Sequence, residues 1–275
     1  MNRFLKVLFV FVLILSIVTP YTQGKSMAAE PVNGRINLGF TPNDTVMDHN
    51  EPILYMTKLG SQTLYSVNVS TGEIKTLSLP YPAERLDLFE NKLYVTQHKM
   101  SHEYSTDDQL AGAIAEVDTQ SFTLSNVLDI NEDPYDIAVD SNGFVYISPG
   151  SNQWGNLRVY SMTEKAEVAQ DPLKTSISDR SDILYNSATS KIYALETDSS
   201  PADFEAFEVA GGIIKNHYDS PYHGDYEMEG MAEFSLDGLN LYDGSGNVFN
   251  LAPFKSGDME RSEERRVGKE CPLLC

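Results

Sequence analysis

The chain has 275 residues, which is enough for one large domain or two small ones. Its residues are 41% hydrophobic and 22% charged, so a sizeable core can form and wholesale disorder is excluded. The 40 acidic and 20 basic side chains give a formal net charge of −20. This charge argues against nucleic acid or an anionic membrane surface as the partner, because both require basic patches.

Residues 1–29 have the pattern of a secretory signal peptide. Arg3 and Lys6 precede an apolar run that ends before Pro20, and Ser26-Met-Ala28 provides small residues around a cleavage position. The alternative is a membrane anchor, but a run of about thirteen residues is too short to span ~30 Å of hydrocarbon. The sequence therefore predicts export to the cell surface or the medium, with no stable membrane insertion after cleavage.

Between residues 30 and 260, a short apolar strand that ends in tyrosine recurs at intervals of roughly 40 to 50 residues. An apolar segment and a polar turn precede most of these strands, as at Asn142-Gly143 and Asp237-Gly238. A second hairpin then follows, for example Leu64–Val69 with Ile74–Leu77. The repeated tyrosines are Tyr55, Tyr94, Tyr146, Tyr193 and Tyr242.

Four short strands per repeat are typical of a β-propeller blade. A blade cannot bury both of its faces alone, so neighbouring blades must stack. A β-sandwich is the alternative, but it would not repeat one tyrosine-terminated strand five times. The sequence thus predicts an all-β domain over residues 30–260, made of about four to five four-stranded antiparallel blades.

The segments Pro134–Ser148, Lys92–Thr96 and Leu64–Glu73 resemble the YVTN-type propeller repeats of exported bacterial proteins. The resemblance covers roughly residues 40–252. It implies a propeller fold, and because such rings usually have six to eight blades, it also implies that the ring here is incomplete. It does not single out one activity, since this fold carries binding modules, surface proteins and enzymes.

An acidic residue precedes the first strand of each repeat, where a propeller opens into its central channel. Carboxylates that converge there would raise one another's pKa or recruit Ca²⁺ or another divalent cation. The alternative is turn chemistry, because aspartate commonly stabilises the loop that enters a strand. The predicted metal ligands are Asp44, Glu84 (with Arg85 as the alternative at that position), Asp136, Asp182 and Glu229.

Glu229-Gly230-Met231 resembles the Glu-Gly-Pro entry motif of metal-dependent sugar-lactonase propellers, although Met231 replaces the proline and the motif lies in the fourth repeat. This resemblance implies that Glu229 is a metal ligand. It supports the second of two functional hypotheses, a lactonase-like hydrolase or lyase with an acidic channel site. The first hypothesis is a non-enzymatic module that binds a protein or carbohydrate partner, and it rests on the lack of a strong catalytic motif.

Three further residues are predicted to contact a ligand. Trp154 is the only tryptophan and could stack on a sugar. His217 and His223 lie in a stretch rich in carboxylates and tyrosines, where they could act as ligands or as a general base. For all three, the alternative is ordinary packing or an ordinary polar loop.

The last segment, residues 261–275, resembles the translation of a common short-read sequencing adapter. One reading frame of that adapter translates, in order, into the residues of Arg261–Cys271. We therefore expect this tail to be non-native and residues 255–275 to be irregular. Both cysteines, Cys271 and Cys275, lie in the tail, so the sequence predicts no disulfide framework in the propeller domain.

Overall fold

The computed structural model describes residues 27–28, 35–197, 199–228 and 230–262. The predicted signal peptide lies outside the described residues except for the backbone of residues 27–28. The predicted adapter-derived tail lies outside them except for residues 261–262, and Glu229 also lies outside. In the described part of the chain, no helix is both long and apolar enough to cross a membrane.

The described residues form antiparallel strands and one 3₁₀ turn, Pro172–Lys174. The strands of the first two blades are β1 (Met27–Ala28), β2 (Thr45–Met47), β3 (Ile53–Met56), β4 (Ser61–Asn68), β5 (Glu73–Phe89), β6 (Lys92–His98), β7 (Gly112–Asp118) and β8 (Thr123–Ile130). β5 is shared: its beginning pairs with β4 and its end with β6, so backbone hydrogen bonds join the two blades into one sheet of 8 strands. The short β1 pairs with the start of β5.

Three further blades follow as separate sheets of 4 strands each. The third blade has β9 (Pro134–Val139), β10 (Phe144–Pro149), β12 (Arg158–Ser161) and β13 (Ala166–Glu167), and beside it lies a two-stranded sheet of β11 (Trp154–Asn156) and β14 (Ser176–Ser178). The fourth has β15 (Asp182–Asn186), β16 (Lys191–Leu195), β17 (Phe204–Ala210) and β18 (Ile213–Asp219). The fifth has β19 (Glu233–Phe234), β20 (Asn240–Tyr242), β21 (Val248–Asn250) and β22 (Glu260–Arg261).

The repeated tyrosines occupy matching places, which confirms the repeat. Each is the third residue of the second strand of its blade and pairs with the first strand of the same blade. Four of them are at most 2% exposed, because their rings point into the contact with the following blade. The first-strand residues opposite them are Val46, Asp87, Ala138, Leu184 and Glu233.

The core consists of apolar layers between successive blades. Side chains along each second strand alternate between its two faces and so contribute to the layers on both sides of the blade. Leu93 and Val95 pack towards the first blade, and Tyr94 packs towards the third. Tyr146 and Tyr193 continue this pattern in the next two layers. Burial of these layers is the main stabilising term for the arrangement, and each blade depends on its neighbours for it. The prediction of stacked four-stranded blades is therefore confirmed.

A repeated aspartate link ties the first strands of adjacent blades together. In each case one carboxylate oxygen accepts a hydrogen bond from the next residue in its own strand, and the other oxygen accepts one from the first strand of the following blade. The cross-blade distances are 2.8 Å from Leu86 N to Asp44, 2.8 Å from Val139 N to Asp87 and 2.7 Å from Ile183 N to Asp136. These side chains satisfy backbone N–H groups that the central cavity would otherwise leave unpaired.

Burial raises the pKa of Asp87 to about 7, although hydrogen bonds from Leu88 N and Val139 N oppose this shift. A folded-state pKa above the unfolded value means that this group's stabilisation is complete below about pH 4 and is lost as the pH rises through 7. We expect Asp87→Asn to remove that dependence. Between pH 4 and 7, the free energy of unfolding should therefore fall by roughly 1 to 3 kcal/mol less in the variant than in the wild type. Urea unfolding across this range measures the effect. Parallel profiles for the variant and wild type would contradict it, and the exposed Asp107→Asn is the control.

The expectation that residues 255–275 are irregular is corrected for residues 258–262, which are buried or paired with a neighbouring strand. Asp258 and Met259 are 2% and 0% exposed, and β22 pairs with β21. The segment is packed because of a buried ion pair, which cannot be predicted from the neighbouring sequence. Lys191 Nζ donates to Asp258 Oδ2 over 2.8 Å, and the hydroxyls of Tyr193 and Tyr218 donate to the same carboxylate.

The first strands of all five blades surround one cavity. In the described part of the chain, no strand pairing joins the first blade to the fifth. The incomplete ring stays a prediction.

Candidate functional site

The central cavity has a volume of about 570 Å³ and is lined by the first strands of all five blades. Its walls are apolar in large part, with side chains such as Phe89, Ile137 and Tyr185. One arginine, Arg85, is among the lining residues. The lining also contains six carboxylic residues, Asp44, Asp87, Glu90, Asp136, Asp182 and Glu233.

The first strands define equivalent positions across the cavity. The residue two places before the partner of each repeated tyrosine is, in chain order, Asp44, Arg85, Asp136, Asp182 and Met231. Three of the five predicted metal ligands therefore share one level of the cavity. In the second blade that level holds Arg85 rather than Glu84, because a register shift interrupts the pairing of β5 with β6 between Ala83 and Leu86.

Arg85 crosses the cavity to the other blades. Its Nη2 donates to Asp182 Oδ1 over 3.1 Å and to the hydroxyl of Tyr135 over 2.7 Å, and its guanidinium lies 4.9 Å from the centre of the Tyr135 ring. Burial by itself would lower the pKa of Arg85, but the charges of Asp136, Tyr135 and Asp182 outweigh it and raise that pKa. Arg85 thus remains a cation that neutralises part of the acidic level.

The three aspartates of this level are held in a low-dielectric environment. Burial raises the pKa of Asp44, Asp136 and Asp182, and Arg85 lowers it in each case. Asp44 and Asp136 use both of their oxygens for backbone N–H groups. A divalent cation would compete with these donors and with Arg85. Calcium binding at this level stays a prediction.

Glu84 lies in a second cluster, beside two histidines that the sequence patterns did not single out. His102 Nε2 is 2.9 Å from Glu84 Oε2, and His98 Nδ1 is 3.4 Å from the same oxygen. On the other side of the ring, His102 Nδ1 is 2.8 Å from Asp133 Oδ2. The spacing of four residues between His98 and His102 is the signal that could have drawn attention to this place.

The charge state of this cluster follows from its two carboxylates. Burial lowers the pKa of His102, but its hydrogen bonds to Asp133 and Glu84 and their charges raise that pKa to about 9. Asp133 is 0% exposed, and Ser151 Oγ donates to it over 2.5 Å. The cluster borders an open cavity of about 670 Å³, whose lining includes Tyr81 and Met100.

The three predicted ligand-contact residues lie beside the third blade, in the fourth blade and in the segment that follows the fourth blade. Trp154 is 54% exposed in the two-stranded sheet of β11 and β14. The ring of His217 stacks on Phe207 at 4.4 Å, and its Nε2 is 3.4 Å from Glu205 Oε1. His223 is 82% exposed in its side chain, with Nδ1 3.6 Å from Asp203. Ligand contact by these residues is untested and stays a prediction.

Most of these groups lie at one end of the blades, here called the loop face. It consists of the segments that lead into the first strands and those that join second to third strands, which the antiparallel order places at the same end. Glu84 leads into the first strand of its blade, His102 and Trp154 lie between second and third strands, and His223 follows the fourth blade. Loops on one face of a rigid scaffold are where binding residues concentrate.

The fold and the cavity together define a β-propeller, and comparison with solved structures agrees. The chain is similar to hydrazine synthase of Kuenenia stuttgartiensis, with 14% identity and a TM-score of 0.56 over 76% of this chain and 55% of that one. It is similar to the WD40 repeats of RRP9, with 8% identity and a TM-score of 0.58 over 82% of this chain and 63% of that one.

A third similar structure is a luciferin-regenerating enzyme, with 12% identity and a TM-score of 0.54 over 82% of this chain and 76% of that one. The chain spans 55% and 63% of the lengths of the first two structures. At these identities the likeness shows the fold alone. No family model and no curated protein matches the sequence.

Proposed function

We propose that this β-propeller is an exported, non-enzymatic binding module whose central cavity receives a cationic group of a protein partner. The observation that carries the proposal is the lining of the cavity, which among the described residues contains six carboxylic residues and one arginine. Backbone N–H groups and Arg85 already engage the carboxylates of Asp44, Asp136 and Asp182. The exposed carboxylates of Glu90 and Glu233 would therefore attract the cationic group. The formal net charge of −20 extends this field to the surrounding solvent.

The side chains that line the cavity indicate which class of partner fits it. Phe89, Ile137 and Tyr185 offer apolar contact beside the carboxylates. A lysine or arginine side chain combines an apolar stem with a cationic head, so a basic loop of a protein fits this lining better than a carbohydrate does. The loop face, with Trp154 and His223 exposed, supplies further surface for the same partner. Secretion through the predicted signal peptide and the relationship to YVTN repeats are parts of this proposal.

The hydrolase hypothesis receives no comparable support from the described residues. It requires carboxylates that are free to hold an ion in the channel, whereas those of Asp44 and Asp136 accept backbone hydrogen bonds and Arg85 reaches Asp182.

A binding experiment with a basic peptide tests the proposal. Fluorescently labelled hexalysine should bind the chain saturably, and its affinity should fall as the salt concentration rises, because exposed charges are screened. The double variant Glu90→Lys/Glu233→Lys reverses two exposed charges of the cavity and should weaken binding at least about tenfold. Fluorescence anisotropy measures both effects.

The matched control is Glu51→Lys/Glu164→Lys, which changes the net charge equally in two exposed turns outside both the cavity lining and the loop face. We expect it to weaken hexalysine binding much less than the cavity variant. Equal weakening by the two variants would mean that only overall charge matters, and the absence of binding to the unaltered chain would also overturn the proposal.

A further inference from the structure

We infer that Glu84, His98 and His102 form a binding site for a first-row transition-metal ion such as Zn²⁺, separate from the central cavity. Each residue offers one donor atom, and the three atoms lie within 4.8 Å of one another. Two imidazole nitrogens and one carboxylate oxygen are a donor set that suits zinc. The inference does not depend on the proposed binding of a cationic partner.

The spacing of the donors agrees with tetrahedral coordination. With bonds of about 2.0 to 2.1 Å, a tetrahedral ion holds neighbouring ligand atoms about 3.3 Å apart. Glu84 Oε2 lies 2.9 Å from His102 Nε2 and 3.4 Å from His98 Nδ1. An ion can therefore enter with small side-chain movements, replacing the contact between Glu84 and His102.

A buried carboxylate orients one of the histidines for this role. Asp133 Oδ2 lies 2.8 Å from His102 Nδ1, which leaves Nε2 facing Glu84 and His98. Asp133 is itself fixed by Ser151, and Gly150 makes room for the ring, since a Cβ there would collide with His102 Nδ1. A carboxylate that holds the second nitrogen of a ligand histidine is a usual companion of metal sites.

Two of the three ligands lie on paired strands, His102 lies in the loop that follows, and the site borders an open cavity. Glu84 lies on β5, and His98 is the last residue of β6, where it pairs with Gly112. His98 and His102 also line the cavity of about 670 Å³. Three protein ligands leave a fourth coordination position, and this cavity gives water or a small ligand access to it.

The competing explanation is a structural ion pair in which a protonated His102 bridges Glu84 and Asp133. That explanation does not require His98, whose Nδ1 is 3.4 Å from Glu84. The fourth blade provides an internal comparison, because Glu205, His217 and Asp219 also have three donor atoms within 4.8 Å. There the Asp219 side chain is 72% exposed and 3.9 Å from His217 Nε2, so we expect weaker binding.

Zn²⁺ titration of the full chain tests the inference, in a Cys271→Ser/Cys275→Ser background that removes the tail thiols as ligands. Isothermal titration calorimetry should show one tight ion per chain. His98→Ala and Glu84→Gln should each weaken this binding at least about tenfold, and Asp133→Asn about 10- to 100-fold. His217→Ala should leave it unchanged.

Circular dichroism and melting curves establish that each variant is folded. If His98→Ala does not fold, His98→Gln retains a side chain of similar length and replaces it in the comparison. The inference is overturned if the unaltered chain binds no Zn²⁺, if the folded His98 variant binds like its parent, or if His217→Ala abolishes the tight site.

Discussion

Replacing Asp258 with asparagine is expected to lower the free energy of unfolding by about 3 to 5 kcal/mol. The side chains of Lys191 and Asp258 are 1% and 0% exposed, so the variant leaves a buried ammonium without its counter-ion. The asparagine amide keeps one acceptor oxygen but presents a donor in place of the other, so it cannot accept from Lys191, Tyr193 and Tyr218 together. This one carboxylate connects the second and fourth strands of the fourth blade to the end of the fifth, which makes the loss large.

Urea unfolding of Asp258→Asn measures the effect. Asp107→Asn is the matched control, since Asp107 is exposed and a surface substitution usually changes stability by less than about 0.5 kcal/mol. Similar unfolding midpoints for the two variants would show that the ion pair does not stabilise the chain.

A second large effect is expected from Arg85→Met, which keeps an apolar stem but removes the cation. Asp44, Asp136 and Asp182 would then face one another in a buried space without the charge that lowers the pKa of each. We expect a loss of about 3 to 5 kcal/mol near neutral pH. The loss should be smaller at pH 5, where more of these carboxyl groups are protonated and uncharged.

The same variant examines the calcium prediction. Without Arg85, the oxygens of Asp182 are released towards the cavity, so added Ca²⁺ should raise the melting temperature of Arg85→Met more than that of wild type. Arg35→Met is the control, because Arg35 is exposed. An equal calcium response in all three proteins would contradict a calcium site that includes Asp182.

The fold was largely predictable from the sequence because blades are local. Strand, turn and tyrosine recur within a few residues of one another, so Tyr55 and Tyr146 could be aligned without knowledge of their neighbours. The candidate site was harder to predict because it depends on the register in which the strands pair. A shift of one residue in a strand sends a side chain to the opposite face, and the irregular pairing near Ala83 places Arg85 in the cavity and Glu84 beside His102.

Contacts between distant segments were beyond the reach of sequence patterns. Arg85 and Asp182 are 97 residues apart in the chain, and Lys191 and Asp258 are 67 apart. Neither pair has a local signature, since each forms only when blades stack. The expectation of an irregular segment after residue 255 was wrong for residues 258–262 for the same reason. It was based on the resemblance of the tail to a translated adapter, whereas Lys191 in the preceding blade fixes Asp258 by a buried ion pair.

The shared strand β5 has a consequence for the order in which the molecule opens. It spans 17 residues, Glu73–Phe89, and its hydrogen bonds belong to the first blade at one end and to the second at the other. The first two blades therefore cannot separate without breaking a continuous backbone ladder, whereas later blades meet through loops and side chains. In native-state hydrogen exchange, the amides of β4 and β6 should open together as one cooperative unit. The amides of the fourth and fifth blades should exchange through separate opening reactions.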